Sequence, residues 1–291
     1  MSRPRDGRTR WVWGSATTVL LLVVVVAYGF WPRPGQVRAE AAHPVGAPTA
    51  ADGRAAVLSA ARREIAELSG NAGADRSRRL DDSTGALHEA VAREGAVPGG
   101  GVTAVPGTVT AVATTALDAD TSTADLIATV QSPSAGEQRL AATMALVGGS
   151  WKLSALSAVP VGADPVAVPA GAGVTADVGG ALARILSYSP STAAATAQAA
   201  DQVLAGAAAT QYRQLLGAIT AQVRQQGLSV DSRVVRIGVE QQTTADRAQL
   251  LVFLDQTARR NGGARTRVGA QLSVTAQLSG GHWRIVALAS I

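Results

Sequence analysis

The sequence predicts an α+β protein in which one N-terminal transmembrane helix precedes two tandem cone-like domains, each with helices packed on a curved antiparallel sheet. Three observations predict this organisation. A charge-free apolar segment lies near the N-terminus, helical apolar spacing precedes strand-like alternation, and that order occurs twice within the 291 residues. Helices followed by a run of strands are typical of an α+β domain.

Residues 11–31, WVWGSATTVLLLVVVVAYGFW, contain no charged side chain. A helix of this length spans about 30 Å, the thickness of the hydrocarbon layer. The arginines in residues 1–10 place that tail in the cytoplasm and the rest of the chain outside the cell membrane, as a single-pass protein. The alternative is a cleaved signal peptide, since Ala39-Glu40-Ala41 resembles a cleavage site, although signal peptides have a shorter apolar core of about 7–15 residues.

Proline-rich segments divide the rest of the chain. The predicted parts are a cytoplasmic tail (1–10), a transmembrane helix (11–31), a linker (32–50), a first domain (51–159), a second linker (160–173) and a second domain (174–291). The same periodicities follow one another in both domains. Helices are predicted around 57–68, 80–91, 178–186 and 212–223. Strands are predicted at about 102–117, 124–132, 138–147, 150–159, 229–242, 247–257, 266–279 and 282–290.

The two domains have similar endings, GGSWKLSALSAV at 148–159 and GGHWRIVALASI at 280–291. Each Gly-Gly pair predicts a hairpin turn after an alternating strand. Trp151 and Trp283 then open the returning strands at equivalent positions. This correspondence predicts a duplicated fold unit. Both tryptophans are expected to close their sheets as core residues, or alternatively to line a cavity wall or docking surface.

Composition excludes several kinds of site. The chain has no cysteine, and its histidines, His43, His88 and His282, lack metal-ligand spacing. We therefore expect no metal and no cofactor. Aromatic residues make up only 3% of the chain and part of the net charge of +5 lies in the N-terminal tail. A nucleic-acid partner is not expected, because such a partner requires a concentrated basic face with stacking aromatics.

Three side chains would be candidates if a cone interior carried out acid–base chemistry: Tyr188, Tyr212 and Asp255. Tyr212 lies in an apolar helical stripe and is expected in the core. Asp255 is expected to cap a turn or lie at a sheet edge, and Tyr188 lies at a helix end. Nothing in the sequence places an acid beside a base, so we predict no catalytic residue and no enzymatic activity.

The segment ARRNGGARTR at 258–267 predicts a basic hairpin tip. Its arginines, Arg259, Arg260, Arg265 and Arg267, are candidates for contacts with a partner or with anionic lipid headgroups, and the alternative is a solvated loop. Residues 51–159 carry 9 basic and 12 acidic side chains, whereas residues 174–291 carry 11 and 6. These opposite net charges would favour docking of the two domains on each other.

Five second-domain segments stand in an order that resembles a known family: ALARILSYS (181–189), QYRQLLGAI (211–219), RVVRIGV (233–239), RAQLLVFLDQT (247–257) and GGHWRIVAL (280–288). That order is similar to the Mce-associated membrane proteins of high-GC Gram-positive bacteria. The resemblance implies one transmembrane helix and an extracytoplasmic domain of the nuclear-transport-factor-2-like, cystatin-like fold. It also implies accessory work for Mce complexes, which move lipids or sterols across the cell envelope, and it supplies no catalytic residue.

The predicted function is therefore that of a non-catalytic accessory or scaffold subunit of a membrane Mce-type lipid-transport complex, with extracytoplasmic domains that contact other proteins. Two alternatives remain. One is a bitopic assembly factor of a conjugation or type IV secretion-like machine. The other is a membrane-tethered lipid-binding domain, which would require an open apolar pocket.

Overall fold

A computed structural model describes residues 50–69, 76–94, 107–120, 122–168 and 173–291. The predicted cytoplasmic tail, transmembrane helix and most of the first linker lie outside these ranges. Within them, no helix combines the length and apolar character needed to cross a membrane. The described part of the chain is an α+β structure with one large antiparallel sheet and helices.

The described residues from 50 to 159, called here the first half, contain helices followed by four strands. The helices are α1 (Ala50–Ser69), α2 (Arg76–Asp81) and α3 (Gly85–Glu94), and the strands are β1 (Thr108–Asp118), β2 (Thr123–Ser132), β3 (Gly136–Val147) and β4 (Ser150–Ala158). The predicted strands agree with these bounds to within a few residues, except that 102–106 lie outside the described ranges.

Residues 173–291, the second half, contain the same sequence of elements. The helices are α4 (Val174–Ile185), α5 (Ala193–Val203) and α6 (Gly206–Gln226), and the strands are β5 (Leu228–Thr244), β6 (Arg247–Arg260), β7 (Arg265–Ser279) and β8 (His282–Ser290). Helix α5 was not predicted. It is rich in alanine and buries only Thr196 and Ala200, so its sequence, AAATAQAADQV, lacks a stripe of large apolar residues.

All eight strands belong to one antiparallel sheet in the order β4-β3-β2-β1-β5-β6-β7-β8. The two halves join at its centre, where a single residue pair, Thr114 and Val239, connects β1 to β5. The backbones come close here, since a Cβ atom at Gly238 would lie 2.9 Å from the Thr114 carbonyl oxygen. Because the sheet is continuous, the division into two separate tandem domains stays a prediction.

The terminal hairpins of the two halves have the same register. Leu146 pairs with Trp151 in the β3–β4 hairpin, and Leu278 pairs with Trp283 in the β7–β8 hairpin. Each hairpin has one register shift, after Thr143 in the first and after Thr275 in the second. The turn glycines at 148–149 and 280–281 all have positive φ, which this tight turn requires at both central positions. The predicted Gly-Gly turns are therefore confirmed.

Each half covers one face of its strands with its own helices. Helices α1 and α3 pack on β1–β4 around a cluster that includes Ile65, Leu87 and Met144. Helices α4–α6 pack on β5–β8 around a larger cluster that includes Leu182 and Tyr212. The apolar residues on these strands alternate with period two, so every second side chain faces the helices.

The sheet face that the helices leave uncovered in the first half contacts the corresponding face of the second half. Residues of both halves form a buried cluster, called here the inter-half cluster: Ala111, Ala113, Ile127, Val159, Val235, Leu251 and Phe253. Ala163 of the second linker and Ile291 at the C-terminus pack against it. Apolar burial of this kind stabilises the contact by about 25 cal/mol for each Å² removed from water. The two halves therefore share a core in addition to sharing a sheet.

Candidate functional site

The predicted basic hairpin tip is the turn between β6 and β7. Arg259 lies directly opposite Arg265, and Thr257 lies directly opposite Arg267. Because side chains alternate across a strand, these residues share one face of the sheet. Arg260 has the opposite parity, and its Nε is a buried donor without a hydrogen-bond partner among the described residues. The tip thus presents three of the four predicted arginines together, and Arg260 lies apart from them.

The three arginines line an open cleft of about 860 Å³, called here the basic cleft. Two further arginines, Arg184 at the end of α4 and Arg233 on β5, belong to the same lining. Its remaining walls come from the 187–199 segment and from the neighbouring strands: Ser187, Tyr188, Ser189, Thr192, Ala195, Thr196, Ala199, Ser229, Val230, Asp231 and Thr257. The cleft therefore combines five guanidinium groups, several hydroxyl groups and one carboxylate.

The basic cleft forms where β5 lacks a neighbouring strand. Beyond its single contact with β1, the edge of β5 is covered by Tyr188, whose backbone exchanges two hydrogen bonds with Val230, with N–O distances of 2.9 and 2.8 Å. Thr196 donates its hydroxyl hydrogen to the Ser187 carbonyl, which fixes the 187–192 loop against α5. The loop and the sheet face thereby form the two walls of the cleft.

The predicted pocket or core residues lie in two kinds of environment. Tyr212 is buried in the second-half core and donates its hydroxyl hydrogen to the Ile185 carbonyl. Tyr188 is also buried, packs with Leu215 and lines the basic cleft. Burial raises the pKa of Tyr188 to about 12 and also raises the pKa of Tyr212. Both phenols therefore keep their protons at neutral pH.

Trp151 and Trp283 are half-buried at the borders of the two helix-covered cores. Each ring lies across its hairpin from an exposed leucine, Leu146 or Leu278. Within the described ranges no group of histidine, cysteine and carboxylate residues could hold a metal ion. His43 lies outside those ranges, the Nδ1 of His88 contacts the Leu80 carbonyl at 3.0 Å, and His282 is exposed beside its turn.

A buried ion pair that was not predicted from the sequence joins the two halves. Arg139 on β3 places Nη1 2.8 Å from Oδ1 of Asp255 on β6, and both side chains are almost fully buried. The Arg139 Nε donates to the Val159 carbonyl, and the backbone N–H of Gly162 donates to the other Asp255 oxygen. The expected turn-capping or sheet-edge role of Asp255 is wrong, because β6 is a central strand that continues to Arg260.

The small residue opposite Asp255 makes room for this pair. Gly269 on β7 is the register partner of Asp255, and a Cβ atom there would lie 3.1 Å from the Arg139 Cζ. A second pair, from Arg62 to Glu240, also connects the halves, at 3.2 Å. In both pairs the base belongs to the first half and the acid to the second. The net charges predict contacts between acids of the first half and bases of the second half. The ion pairs that join the halves have the reverse arrangement.

Glu64 on α1 is a buried carboxylate in the first half. It is only 2% exposed, and its Oε2 accepts a hydrogen bond of 2.7 Å from the backbone N–H of Leu153 on β4. Burial raises its pKa to about 7, the hydrogen bond from Leu153 opposes that rise, and the nearby Asp82 adds to it. Glu64 therefore links a helix to the sheet through an acceptor that is costly to ionise.

Replacing Glu64 with glutamine should stabilise the protein above pH 7 and flatten the pH dependence of its stability. The folded-state pKa is higher than the ordinary value of 4.5, so the folded chain binds more protons between pH 4.5 and 7. Stability is therefore highest below this window and is lost as pH rises through it. Glutamine keeps the acceptor for Leu153 without the charge. Urea unfolding at pH 5 and pH 8 measures the effect.

The expected gain at pH 8 is about 2–3 kcal/mol, and it should be small at pH 5. The matched control is Glu89→Gln, since Glu89 is an exposed acid on α3. It should leave the difference between the two pH values unchanged. A Glu64→Gln protein that loses stability equally at both pH values would contradict this account of the carboxylate.

The fold and the basic cleft define the structural class of this protein. It is an α+β protein in which helices cover one face of the sheet in each half, and a cationic cleft lies at one end of the sheet. No protein-family model matches the chain, and no curated protein matches it in sequence. Membership of the Mce-associated family therefore stays a prediction.

Solved structures with similar architecture include proteins of secretion and conjugation systems. CagV of Helicobacter pylori, a VirB8 homolog of a type IV secretion system, is 10% identical over 40% of this chain and 95% of its own, with a TM-score of 0.34. An IcmL-like type IV secretion protein of Legionella pneumophila is 11% identical over 42% and 93%, with a TM-score of 0.37. An NTF2-like protein involved in plasmid conjugation is 10% identical over 80% and 95%, with a TM-score of 0.26. Because each score lies below 0.5, none of these similarities establishes a function for the chain.

Proposed function

We propose that this protein is a non-catalytic accessory or scaffold subunit of a membrane complex that contains Mce-type lipid-transport proteins. The predicted helix at 11–31 would hold it in the membrane, and the two halves would contact other subunits outside. The observation that carries this proposal is the joining of the two halves. Their helix-free sheet faces are fixed together by the inter-half cluster and by the Arg139–Asp255 pair. Such a rigid body suits a protein that holds partners at defined positions.

The interior of the second half also favours a scaffold. The space between α4–α6 and the sheet is filled by apolar side chains and two phenols. Tyr212 donates its hydroxyl hydrogen to the Ile185 carbonyl, and Tyr188 packs with Leu215 beside the basic cleft. An enzyme or a lipid carrier with a cone-like fold needs an open interior cavity with a few convergent polar groups. The open clefts near Tyr188 and Trp283 lie instead on the outside of the second half. A third cleft, of about 740 Å³, lies between β1–β3 and the 166–168 segment and not between the helices and the sheet.

Purification of the full-length protein from detergent-solubilised membranes, followed by quantitative mass spectrometry, tests the proposal. The affinity tag belongs at the N-terminus, because Ile291 packs against the inter-half cluster and donates its backbone N–H to the Gln271 carbonyl. We expect Mce-type subunits to co-purify in fixed ratio with the tagged chain. They should be absent from the sample purified in the same way from a strain without the tag.

Two outcomes would contradict the proposal. Enrichment of conjugation or type IV secretion subunits would replace it with the alternative machine. Recovery of the tagged chain alone, under detergents that preserve other membrane complexes, would exclude a stable subunit role.

A further inference from the structure

The arginines of the basic cleft are brought together without neutralising partners. Arg259 and Arg265 lie directly opposite each other on adjacent strands, and like charges in that position destabilise a sheet. Within the described ranges no carboxylate forms a salt bridge with either side chain, and the hydrogen bond that Arg259 makes is to the neutral Gly262 carbonyl. An anion that binds between the guanidinium groups would offset the repulsion between their like charges.

The position of the cluster makes it a concave site rather than a flat basic patch. Arg184 lies on helix α4 and Arg233 on strand β5, whereas the other three arginines belong to the β6–β7 hairpin. Five arginines from three parts of the chain therefore line a single cleft of about 860 Å³. This volume is within the range of about 300–1,000 Å³ that is typical of small-ligand sites. A flat acidic protein surface would reach the exposed tip arginines but not a recess between a loop and a sheet.

The guanidinium groups of the cleft indicate the kind of anion, since they bind the oxygens of a phosphate through two parallel hydrogen bonds. Thr257 supplies a hydroxyl group on the sheet wall beside them. Ser229 donates to the Arg259 carbonyl, and Ser189 and Thr192 on the facing loop hydrogen-bond each other, so these three groups shape the walls. Asp231 is the single carboxylate in the lining, which leaves the cleft strongly cationic.

We propose that the basic cleft binds the phosphoryl group of an anionic ligand between Arg259, Arg265 and Arg267, with Arg184 and Arg233 completing the site. Two sources carry this chemistry: the headgroup of an anionic phospholipid and a free phosphate ester. The proposal concerns the second half alone and does not depend on the identity of the membrane complex.

The test measures binding to the full-length protein in neutral detergent by calorimetry, with three probes: inorganic phosphate, glycerol 3-phosphate and mixed micelles of the detergent with phosphatidylglycerol. Mixed micelles with phosphatidylcholine, which carry no net charge, are the reference. The test variant is Arg259→Gln together with Arg265→Gln. We expect phosphate and glycerol 3-phosphate to bind the unmodified protein. Their affinity for this variant should be lower by a factor of about ten or more, because the charge-assisted contacts of both arginines are lost.

The matched control is Arg247→Gln together with Arg224→Gln. It removes the same charge from exposed positions outside the cleft, one on β6 and one on α6. Its binding should equal that of the unmodified protein. A second variant, Arg265→Lys, keeps the charge but lacks the two-pronged donor, and should bind with intermediate affinity. The test and control variants should keep the circular dichroism spectrum of the unmodified protein, because the cleft arginines are exposed.

The outcomes are decisive. Binding that depends on Arg259 and Arg265 and extends to the phosphatidylglycerol micelles supports the proposal and identifies a lipid source. The same dependence with the soluble probes alone supports it and identifies a free ester. Equal weakening by the control pair overturns it, because binding would then follow overall charge. Absence of binding by all three probes overturns it as well.

Discussion

Replacing Arg139 with methionine should lower the free energy of unfolding by about 3–5 kcal/mol. Methionine fills much of the volume of the arginine but leaves Asp255 buried without its cation. The carboxylate is only 5% exposed and would retain the backbone N–H of Gly162 as its donor. The Arg139 guanidinium also lies 5.7 Å from the centre of the Phe253 ring, a cation–π contact that the variant loses. Urea unfolding of the full-length protein in detergent measures the change.

Two controls separate this account from a general effect of removing an arginine. Arg213→Met breaks an exposed pair with Asp201, in which both side chains are about two-thirds exposed, and should change stability by less than about 1 kcal/mol. The double variant Arg139→Met with Asp255→Leu removes both charges and should recover most of the loss, since an apolar pair can replace a buried ion pair. A single variant within about 1 kcal/mol of the unmodified protein would contradict the proposed role.

The strands and hairpin turns could be predicted from the sequence because they depend on local patterns. Residues 271–278 alternate polar and apolar side chains, and in β7 the apolar Leu272, Val274 and Ala276 are buried, whereas Leu278 beside the turn is exposed. The glycine pairs at 148–149 and 280–281 supply the positive φ values that a tight turn requires. Period-two alternation and turn chemistry are both determined within a few residues, so they hold regardless of how the rest of the chain packs.

The buried polar groups could not be predicted because their partners are distant in sequence. Arg139 and Asp255 are 116 residues apart, and Glu64 and Leu153 are 89 apart. Taken alone, Asp255 after an apolar run resembles a strand end, and Glu64 in RREIAEL resembles a residue of a solvated helix face. One signal was available at Gly269, where a glycine within an otherwise regular strand indicates close approach by another group.

The basic cleft was predicted in part. The sequence placed four arginines at a hairpin tip, and three of them line the cleft. Residue parity explains why Arg260 does not, since it lies one position from Arg259 on the same strand. Arg184 and Arg233 were not predicted, because only the fold brings the end of α4 and the start of β5 to the same place.

Replacing Phe253 with alanine should destabilise the protein by about 3–5 kcal/mol and separate the unfolding of its two halves. Phe253 is completely buried, and it is the largest side chain of the inter-half cluster. It packs with Ala111, Ala113 and Ile127 of the first half, three residues that are small or medium-sized. Their side chains cannot fill the cavity left by a ring, so contact between the halves is lost together with the transfer free energy of the side chain.

The tryptophans report on each half separately. Trp151 packs at the border of the first-half core and Trp283 at the border of the second-half core. Variants that keep only one of these two, with the N-terminal tryptophans replaced by phenylalanine, should unfold in urea at the same midpoint when Phe253 is present, as a cooperative unit does. In Phe253→Ala the two tryptophans should report different urea midpoints. The halves would then be joined only by the single β1–β5 residue pair and the remaining polar contacts, which couple their unfolding weakly.

Leu182→Ala is the matched control, since Leu182 is equally buried but lies in the second-half core on α4. It should cost about 2–5 kcal/mol while both tryptophans still report one midpoint, because the inter-half cluster is intact. Coincident midpoints in Phe253→Ala would mean that the continuous sheet alone couples the halves. Separate midpoints in the protein that retains Phe253 would mean that the halves are independent domains. The two-midpoint pattern expected for Phe253→Ala alone would assign the coupling of the halves to the apolar contact between their sheet faces.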